Sequence, residues 1–147
     1  REITHFLGFM NIQKEKEETE KILKNTIGFT SKAITMNSTV ENLSGGEKQG
    51  IAFGRSLYFD ADLIILDEPT MGLSLQETEK VLGFVKDLKN KKKSAIFIDH
   101  NIFHVYDVAD RFIILDRGKI MGQFTKEEIS QTELMEKMIS LHHSGNF

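Results

Sequence analysis

The sequence contains no cysteine and no tryptophan, and its one proline is Pro69. Without cysteine the chain cannot form a disulfide, a thiolate zinc site or a thiol nucleophile. Long apolar runs are also lacking, because stretches such as residues 63–66 are far shorter than the roughly 20 residues of a membrane-spanning helix. Nor is there an excess of positive charge: 19 Lys and Arg face 22 Asp and Glu, a net charge of −3. A general electrostatic affinity for nucleic acid is therefore not expected.

The composition is that of a folded globular chain. The residues A, V, I, L, M, F, W, Y and C make up 39% of the 147 positions, and 11 glycines add to them. Their combined share lies in the range of globular proteins, and the length favours one domain. The chain starts with Arg1 instead of Met and shows no signal-peptide pattern, so we expect it to be a piece of a longer protein.

Hydrophobic periodicity predicts alternating helices and strands. The expected helices are 13–25, 44–59, 75–89, 101–109 and 132–141, and the expected strands are 62–67, 94–99 and a hairpin of 112–116 with 119–124. Residues 26–42 are predicted as an irregular connection with one short helix. The continuous apolar runs in the first two strands predict burial on both faces. Strand–helix–strand alternation predicts an α/β fold with a parallel sheet.

A first chemical motif, residues 43–49 (LSGGEKQ), opens the predicted second helix. Two adjacent glycines let the backbone approach a ligand closely. The first N–H groups of a helix have no intrahelical partner and carry the positive end of its dipole, so this turn is suited to bind an anion. Ser44 and Glu47 also match the S-x-x-E capping box, which needs no ligand. Both interpretations can hold, because Ser44 can release its cap to a phosphate oxygen.

A second motif, residues 63–70 (LIILDEPT), ends an apolar strand in two carboxylates. In P-loop NTPases an aspartate in this setting holds Mg²⁺ near the phosphates, which makes Asp67 a candidate. Glu68 stands where ligands bind in open α/β sheets, and a carboxylate there can orient and deprotonate an attacking water. The alternative is two exposed acids at a strand-to-turn corner that Pro69 shapes.

A third candidate, His100, directly follows the predicted strand 94–99. Since one crossover helix links the two strands, we expect their carboxyl ends at the same edge, with His100 close to Glu68. A lone histidine is more often a packed or solvated residue, but this position favours a catalytic role. Asp99 either pairs with His100 or caps the helix that begins near Asn101.

In this order, LSGGEKQ, LIILDEPT and FIDH resemble the C-terminal two thirds of an ABC-type ATPase domain, and the resemblance covers nearly all of the chain. It implies a partial P-loop NTPase fold with a parallel-sheet core. Residues 1–60 correspond to a helical subdomain that carries the signature motif. Residues 61–147 correspond to the C-terminal part of the ATPase core.

The same resemblance implies roles for individual residues. The signature residues would contact ATP that is bound to a partner subunit; they are Ser44, Gly45, Gly46, Glu47 and Gln49. Asp67 matches the Walker B aspartate that acts on Mg²⁺. Glu68 matches the catalytic glutamate, and His100 matches the switch histidine that senses the γ-phosphate. ATP and Mg²⁺ are therefore the implied cofactors.

The sequence departs from the family pattern in two places. Ser74 stands where the D-loop normally carries aspartate, and it forms an S-x-x-E capping box with Glu77. The Walker A loop and the glutamine loop are missing: the one Gly-Lys pair, Gly118-Lys119, has Ile120 where the loop needs Ser or Thr. We therefore expect the N-terminal part to lie outside this chain, and the chain alone to be inactive.

Within the family, DEPTMGLS and the C-terminal residues 132–138 resemble the ATPases of bacterial sugar importers. This implies a second ATPase subunit, transmembrane permease subunits and, indirectly, a solute-binding protein as partners, with the chain at the cytoplasmic face of the membrane. One alternative is a non-transport ABC ATPase of the translation-factor or chromosome-maintenance type, which DEPTMGLS does not fit. The other is a non-catalytic fragment.

Overall fold

A computed structural model describes residues 11–26 and 38–144, and most of the predicted connection 26–42, residues 27–37, lies outside them. The predicted helices and strands are present, with shifts only at their ends. In chain order they are α1 (Ile12–Thr26), a 3₁₀ turn (Val40–Asn42), α2 (Gly45–Tyr58), β1 (Leu63–Asp67), α3 (Leu75–Asn90), β2 (Ser94–Ile98), α4 (Ile102–Val108), β3 (Arg111–Asp116), β4 (Lys119–Thr125) and α5 (Gln131–Ser144). None of the helices in this part is long and apolar enough to cross a membrane.

The strands β1 and β2 form a two-stranded sheet. At one end the Ser94 N–H donates to the Asp62 carbonyl at 2.8 Å, and at the other the Glu68 N–H donates to the Ile98 carbonyl at 2.8 Å. Residue numbers increase along both strands from the first bond to the second, so the strands are parallel. Helix α3 is the crossover connection that parallel strands require. The predicted parallel pairing is confirmed.

The predicted burial of these two strands on both faces is wrong for the described residues. Along β1, Ile64 and Leu66 are buried whereas Leu63 and Ile65 are 51% and 64% exposed. In β2, Ile96 and Ile98 are also about half exposed. The alternation of exposed and buried residues along β1 shows that only one face of this strand has a covering layer in the described part of the chain.

Tertiary contacts divide the chain into two compact units. The first unit comprises residues 1–64 and 70–95, and the second comprises 65–69 and 96–147. The boundary passes through β1 and β2. These units do not correspond to the predicted division at residue 60 into a helical subdomain and an ATPase core. That division is based on motifs and stays a prediction.

The core of the first unit joins α2 to α3. The rings of Phe53 and Phe84 stack with centroids 4.3 Å apart, a geometry that adds to the free energy gained from burying both rings. Val81 and Leu88 of α3 are almost completely buried, and they lie on the apolar face of this amphipathic helix. The N-terminal end of α2 is thereby fixed relative to α3.

The core of the second unit forms where α4 and α5 meet the β3–β4 hairpin. Its buried members are Phe112, Ile114, Ile129 and Leu134. The hairpin turns at Arg117 and Gly118, whose φ values of 46° and 77° are those of a two-residue turn that favours glycine at its second position. Phe103 is 63% exposed and lies on the solvent side of the short helix α4.

The helices α2 and α3 end in the same way before the strands that follow them. At the end of α3 the Lys92 N–H donates to the Lys89 carbonyl and the Lys93 N–H to the Leu88 carbonyl, which is the pattern of a Schellman motif. Lys92 occupies the left-handed position with φ 56°. Glycine prefers that position because it has no Cβ.

A lysine clamp, defined by Lys93 with Asp60 and Asp62, joins the two strand entrances. The Lys93 Nζ lies 2.6 Å from Asp60 Oδ1 and 3.3 Å from Asp62 Oδ1, and the Lys93 side chain is 13% exposed. These carboxylates raise the pKa of the Lys93 ammonium, chiefly through the hydrogen bond to Asp60. Of the three consecutive lysines, Lys91 and Lys92 are exposed, whereas Lys93 binds the two carboxylates.

We expect Lys92→Gly to stabilise the protein by about 1 kcal/mol, because glycine removes the cost of a left-handed side-chain-bearing residue. Lys91→Gly is the matched control, because it removes the same charge at the neighbouring position. Lys91 has φ −86°, so glycine there relieves no strain and only makes the backbone more flexible. Urea unfolding measures both variants. Equal effects of the two substitutions would show that backbone strain at Lys92 contributes nothing.

Candidate functional site

The signature motif forms the N-terminus of α2, as predicted. The Glu47 N–H donates to Ser44 Oγ at 3.3 Å, and the Ser44 N–H donates to Glu47 Oε2 at 2.9 Å, which completes the capping box. Helix geometry leaves the N–H groups of Gly45 and Gly46 without an intrahelical acceptor. The capping box therefore orders the turn and leaves two N–H donors at its helix start that can serve an anion.

The other signature residues differ in exposure. Ser44 and Gly45 are exposed, Glu47 and Gln49 are half-buried, and Gly46 is buried. A Cβ added at Gly46 would collide with the Glu77 carboxylate. Glu77 cannot simply swing aside, because its Oε2 accepts the N–H and O–H of Ser74 at 2.9 and 2.7 Å. The capping box of α3 thus sets the space available to Gly46.

The second group of site residues lies where β1 ends. Glu68 follows directly after Asp67, and its φ of 45° is in the left-handed region. For a residue with a side chain this conformation costs about 1–2 kcal/mol. It turns the carboxylate so that Glu68 Oε1 lies 3.5 Å from His100 Nδ1. The prediction that both residues share one sheet edge is confirmed by this distance.

The contact between Glu68 and His100 has little value for stability. The two side chains are 43% and 75% exposed, and exposed ion pairs contribute about 0–1 kcal/mol. The left-handed backbone at Glu68 costs at least as much. The contact with His100 therefore does not offset the backbone strain at Glu68. Uncompensated backbone strain of this kind is typical of functional sites.

A carboxylate with a buried side chain, Asp99, lies next to His100. The sequence left open whether it pairs with His100 or caps α4. The Asp99 side chain is 2% exposed, and its Oδ1 accepts the Asn101 N–H at 2.8 Å. Its Oδ1 is 3.8 Å from His100 Nδ1 and its Oδ2 is 3.7 Å from His104 Nδ1. The helix cap is Asn101, whose Oδ1 accepts the Phe103 N–H. Asp99 therefore lies next to His100, and a different residue caps α4.

His104 was missed as a site residue. It is 23% exposed and lies four positions after His100, the spacing at which two residues of a helix face the same side. The signal was present as two histidines at i and i+4. This spacing predicts proximity only for two residues of one helix, and His100 precedes α4.

The candidate residues fall into the two units. The signature residues belong to the first unit, and Asp67, Glu68 and His100 belong to the second. Asp67 is exposed at the last position of β1. Among residues 11–26 and 38–144, no group of three or more His, Cys, Asp or Glu residues could hold a metal ion by itself.

Acid should weaken the first unit through Glu77. The backbone N–H and the hydroxyl of Ser74 lower the pKa of Glu77 from its usual value of 4.5. A depressed folded-state pKa stabilises the fold above the unfolded value, and this contribution is lost as the pH falls below about 4.5. Glu77→Gln, which can still cap the helix, should therefore lose less stability than the unmodified protein between about pH 6 and about pH 3. Urea unfolding at the two pH values tests this, with the exposed Glu79→Gln as control.

Gly46→Ala should destabilise the protein, because the added methyl group displaces Glu77 from the Ser74 cap, and loss of a cap costs about 0.5–2 kcal/mol. Gly83→Ala on α3 is the control, since a Cβ there has open space, and alanine in a helix is favoured by about 1 kcal/mol. Thermal unfolding should show shifts of opposite sign. A Gly46→Ala variant as stable as Gly83→Ala would contradict the described contact.

Comparison with known sequences gives matches along the whole chain. The ABC transporter family model matches residues 2–71. The Xylose/arabinose import ATP-binding protein XylG of Sulfolobus acidocaldarius is 43% identical over 140 residues, which are 95% of this chain and 54% of that protein. The Fructose import ATP-binding protein FrcA of Rhizobium meliloti is 39% identical over 70% of this chain and 40% of its own length. The chain thus spans about half or less of these curated relatives.

Solved structures share the fold. A nucleotide-free ATP-binding cassette from an ABC transporter matches with a TM-score of 0.68 and 25% identity, over 88% of this chain and 51% of that one. A dimeric cassette in a post-hydrolysis state, bound to ADP and Pi, matches with a TM-score of 0.68 and 24% identity, over 82% of this chain and 51% of its own. The ordered motifs, the sequence relatives and the common fold show that the chain belongs to the ABC transporter family.

Proposed function

We propose that this chain is the C-terminal part of an ATP-hydrolysing subunit of an ABC importer. The observation that carries the proposal is the contact between Glu68 Oε1 and His100 Nδ1, 3.5 Å apart at the carboxyl ends of two parallel strands. Ligands of open α/β sheets bind outside this edge. A carboxylate and an imidazole at that place are the groups needed to handle an attacking water and a transferring phosphoryl group.

In the proposed reaction Glu68 orients a water for attack on the γ-phosphate and accepts its proton. The Glu68 carboxylate is 43% exposed, so a water can reach it. General-base catalysis of this kind contributes about 10²–10⁴-fold in rate. His100 Nδ1 contacts Glu68, which leaves the opposite ring nitrogen, Nε2, to face the γ-phosphate. His100 thus links the state of the phosphate to the position of the base.

The residues present fit a Mg²⁺ ion. Magnesium is usually held by one or two carboxylates together with substrate phosphates and waters, so it needs no cluster of protein ligands. Asp67, exposed at the end of β1 beside Glu68, offers one such carboxylate. A bound Mg²⁺ would neutralise charge on the transferring phosphate. In this proposal Asp67 supplies the carboxylate for the ion, and Glu68 remains available to the attacking water.

The signature residues would act on the nucleotide of a second ATPase subunit. Ser44 and Gly45 are exposed, and the N–H groups at the start of α2 are suited to a phosphate. Gly46, Glu47 and Gln49 complete the turn. This proposal makes the functional unit a dimer with each nucleotide between two subunits, and ATP hydrolysis by the chain alone is not expected.

The names of the relatives support a sugar as the transported solute. They are the import ATP-binding proteins for xylose/arabinose and fructose described above. The proposed partners follow: transmembrane permease subunits that hold this subunit at the cytoplasmic face of the membrane, and a solute-binding protein outside. An upstream segment with the phosphate-binding loop would complete the cassette.

Glu68→Gln should reduce kcat for ATP at least about 100-fold in a complete cassette, because the amide cannot accept the proton of water. ATP-dependent dimers should persist, since the amide keeps the shape of the side chain. Phosphate release measures turnover, and size-exclusion chromatography measures dimers. Glu127→Gln is the control, because Glu127 is an exposed glutamate of the same unit.

Two results would contradict the proposal. A Glu68→Gln cassette that hydrolyses ATP at the unmodified rate would remove Glu68 from the reaction. A complete cassette with no ATPase activity and no nucleotide-dependent association would identify the chain as a non-catalytic fragment.

A further inference from the structure

A buried acid connects two histidines in the second unit. The Asp99 side chain is 2% exposed, and each of its carboxylate oxygens faces a different imidazole: Oδ1 faces His100 and Oδ2 faces His104, at 3.8 and 3.7 Å. A buried carboxylate is costly unless donors surround it. The Asn101 N–H, at 2.8 Å from Oδ1, supplies one donor. The other carboxylate oxygen, Oδ2, has the His104 ring beside it.

The hydrogen bonds around Asn101 fix the tautomer of His104. Asn101 Oδ1 accepts the Phe103 N–H at 3.1 Å, so its Nδ2 is the amide donor. That Nδ2 lies 3.2 Å from His104 Nε2. The His104 Nε2 must therefore accept, and in the neutral ring the proton is on Nδ1. His104 thus directs an N–H toward Asp99 Oδ2.

On the other side, His100 Nδ1 lies between two acids. Glu68 Oε1 is 3.5 Å away and Asp99 Oδ1 is 3.8 Å away. The two carboxylates compete for the same ring nitrogen. The His104 ring, whose Nδ1 lies 3.7 Å from Asp99 Oδ2, can favour an orientation of the Asp99 carboxylate that leaves His100 Nδ1 to Glu68.

We infer that His104 is a positioning residue that holds Asp99 so that His100 keeps its contact with Glu68. This inference rests on the proposed function, in which that contact belongs to the ATPase reaction. His104 does not touch the reacting groups; it acts through Asp99. Without it, Asp99 turns to His100, and the base and the switch histidine separate.

The test uses three substitutions in a complete cassette. His104→Ala removes the donor, and kcat should fall about 10- to 100-fold, while KM for ATP stays within about twofold because the nucleotide contacts are unchanged. His104→Asn should restore most of kcat, since its amide N–H takes the place of Nδ1–H. His104→Gln should not, because its amide corresponds to Nε2.

The matched control is Phe103→Ala, which alters the same turn of α4 at an exposed side chain and should leave kcat unchanged. A second measurement does not depend on turnover: the ¹⁵N NMR shifts of the His100 ring. These shifts should change in His104→Ala and should be close to those of the unmodified protein in His104→Asn. Unfolding temperatures report any general loss of stability.

The outcomes separate this inference from the proposed function. Suppose that the unmodified cassette hydrolyses ATP and Glu68→Gln does not. If all three His104 variants then have the kcat of the unmodified cassette, the inference is overturned. Unchanged His100 shifts in His104→Ala overturn it as well, whatever the activity. If the unmodified cassette is inactive while the His100 shifts respond as expected, the proposed function fails and the positioning role of His104 is supported.

Discussion

The parallel pairing of β1 with β2 is the constraint on which the second unit depends. Its last bond, from the Glu68 N–H to the Ile98 carbonyl at 2.8 Å, brings the ends of both strands to one edge. The residues that come after the two strands then lie close together: Glu68 from one and His100 from the other. A slip of the pairing would turn side chains to the opposite sheet face and separate them.

The sequence predicted those features that depend on local spacing. The capping boxes of Ser44 with Glu47 and of Ser74 with Glu77 follow from residues three positions apart, and both form as expected. The proximity of Glu68 and His100 followed from a general rule about crossover connections, and their distance of 3.5 Å confirms it. Patterns within a turn, or fixed by topology, can be predicted because few alternatives satisfy them.

The features that the sequence did not predict depend on contacts between distant segments. Lys93 looked like one more member of a basic run, yet it reaches Asp60 across 33 positions. The place of Glu77 over Gly46 arises from the packing of α2 against α3, which no spacing reports. The role of Asp99 was undecided because its burial depends on the surrounding fold. The roles of the nucleotide-binding residues remain proposals, since they concern contacts with ATP.

The half-exposed isoleucines of the sheet affect how the chain behaves in solution. Ile65, Ile96 and Ile98 present an apolar face beside strand edges, and exposed apolar surfaces of this kind promote self-association. A preparation of the chain by itself should therefore aggregate more as its concentration rises. Its light scattering should also increase with sulfate, because such salts strengthen the burial of apolar groups.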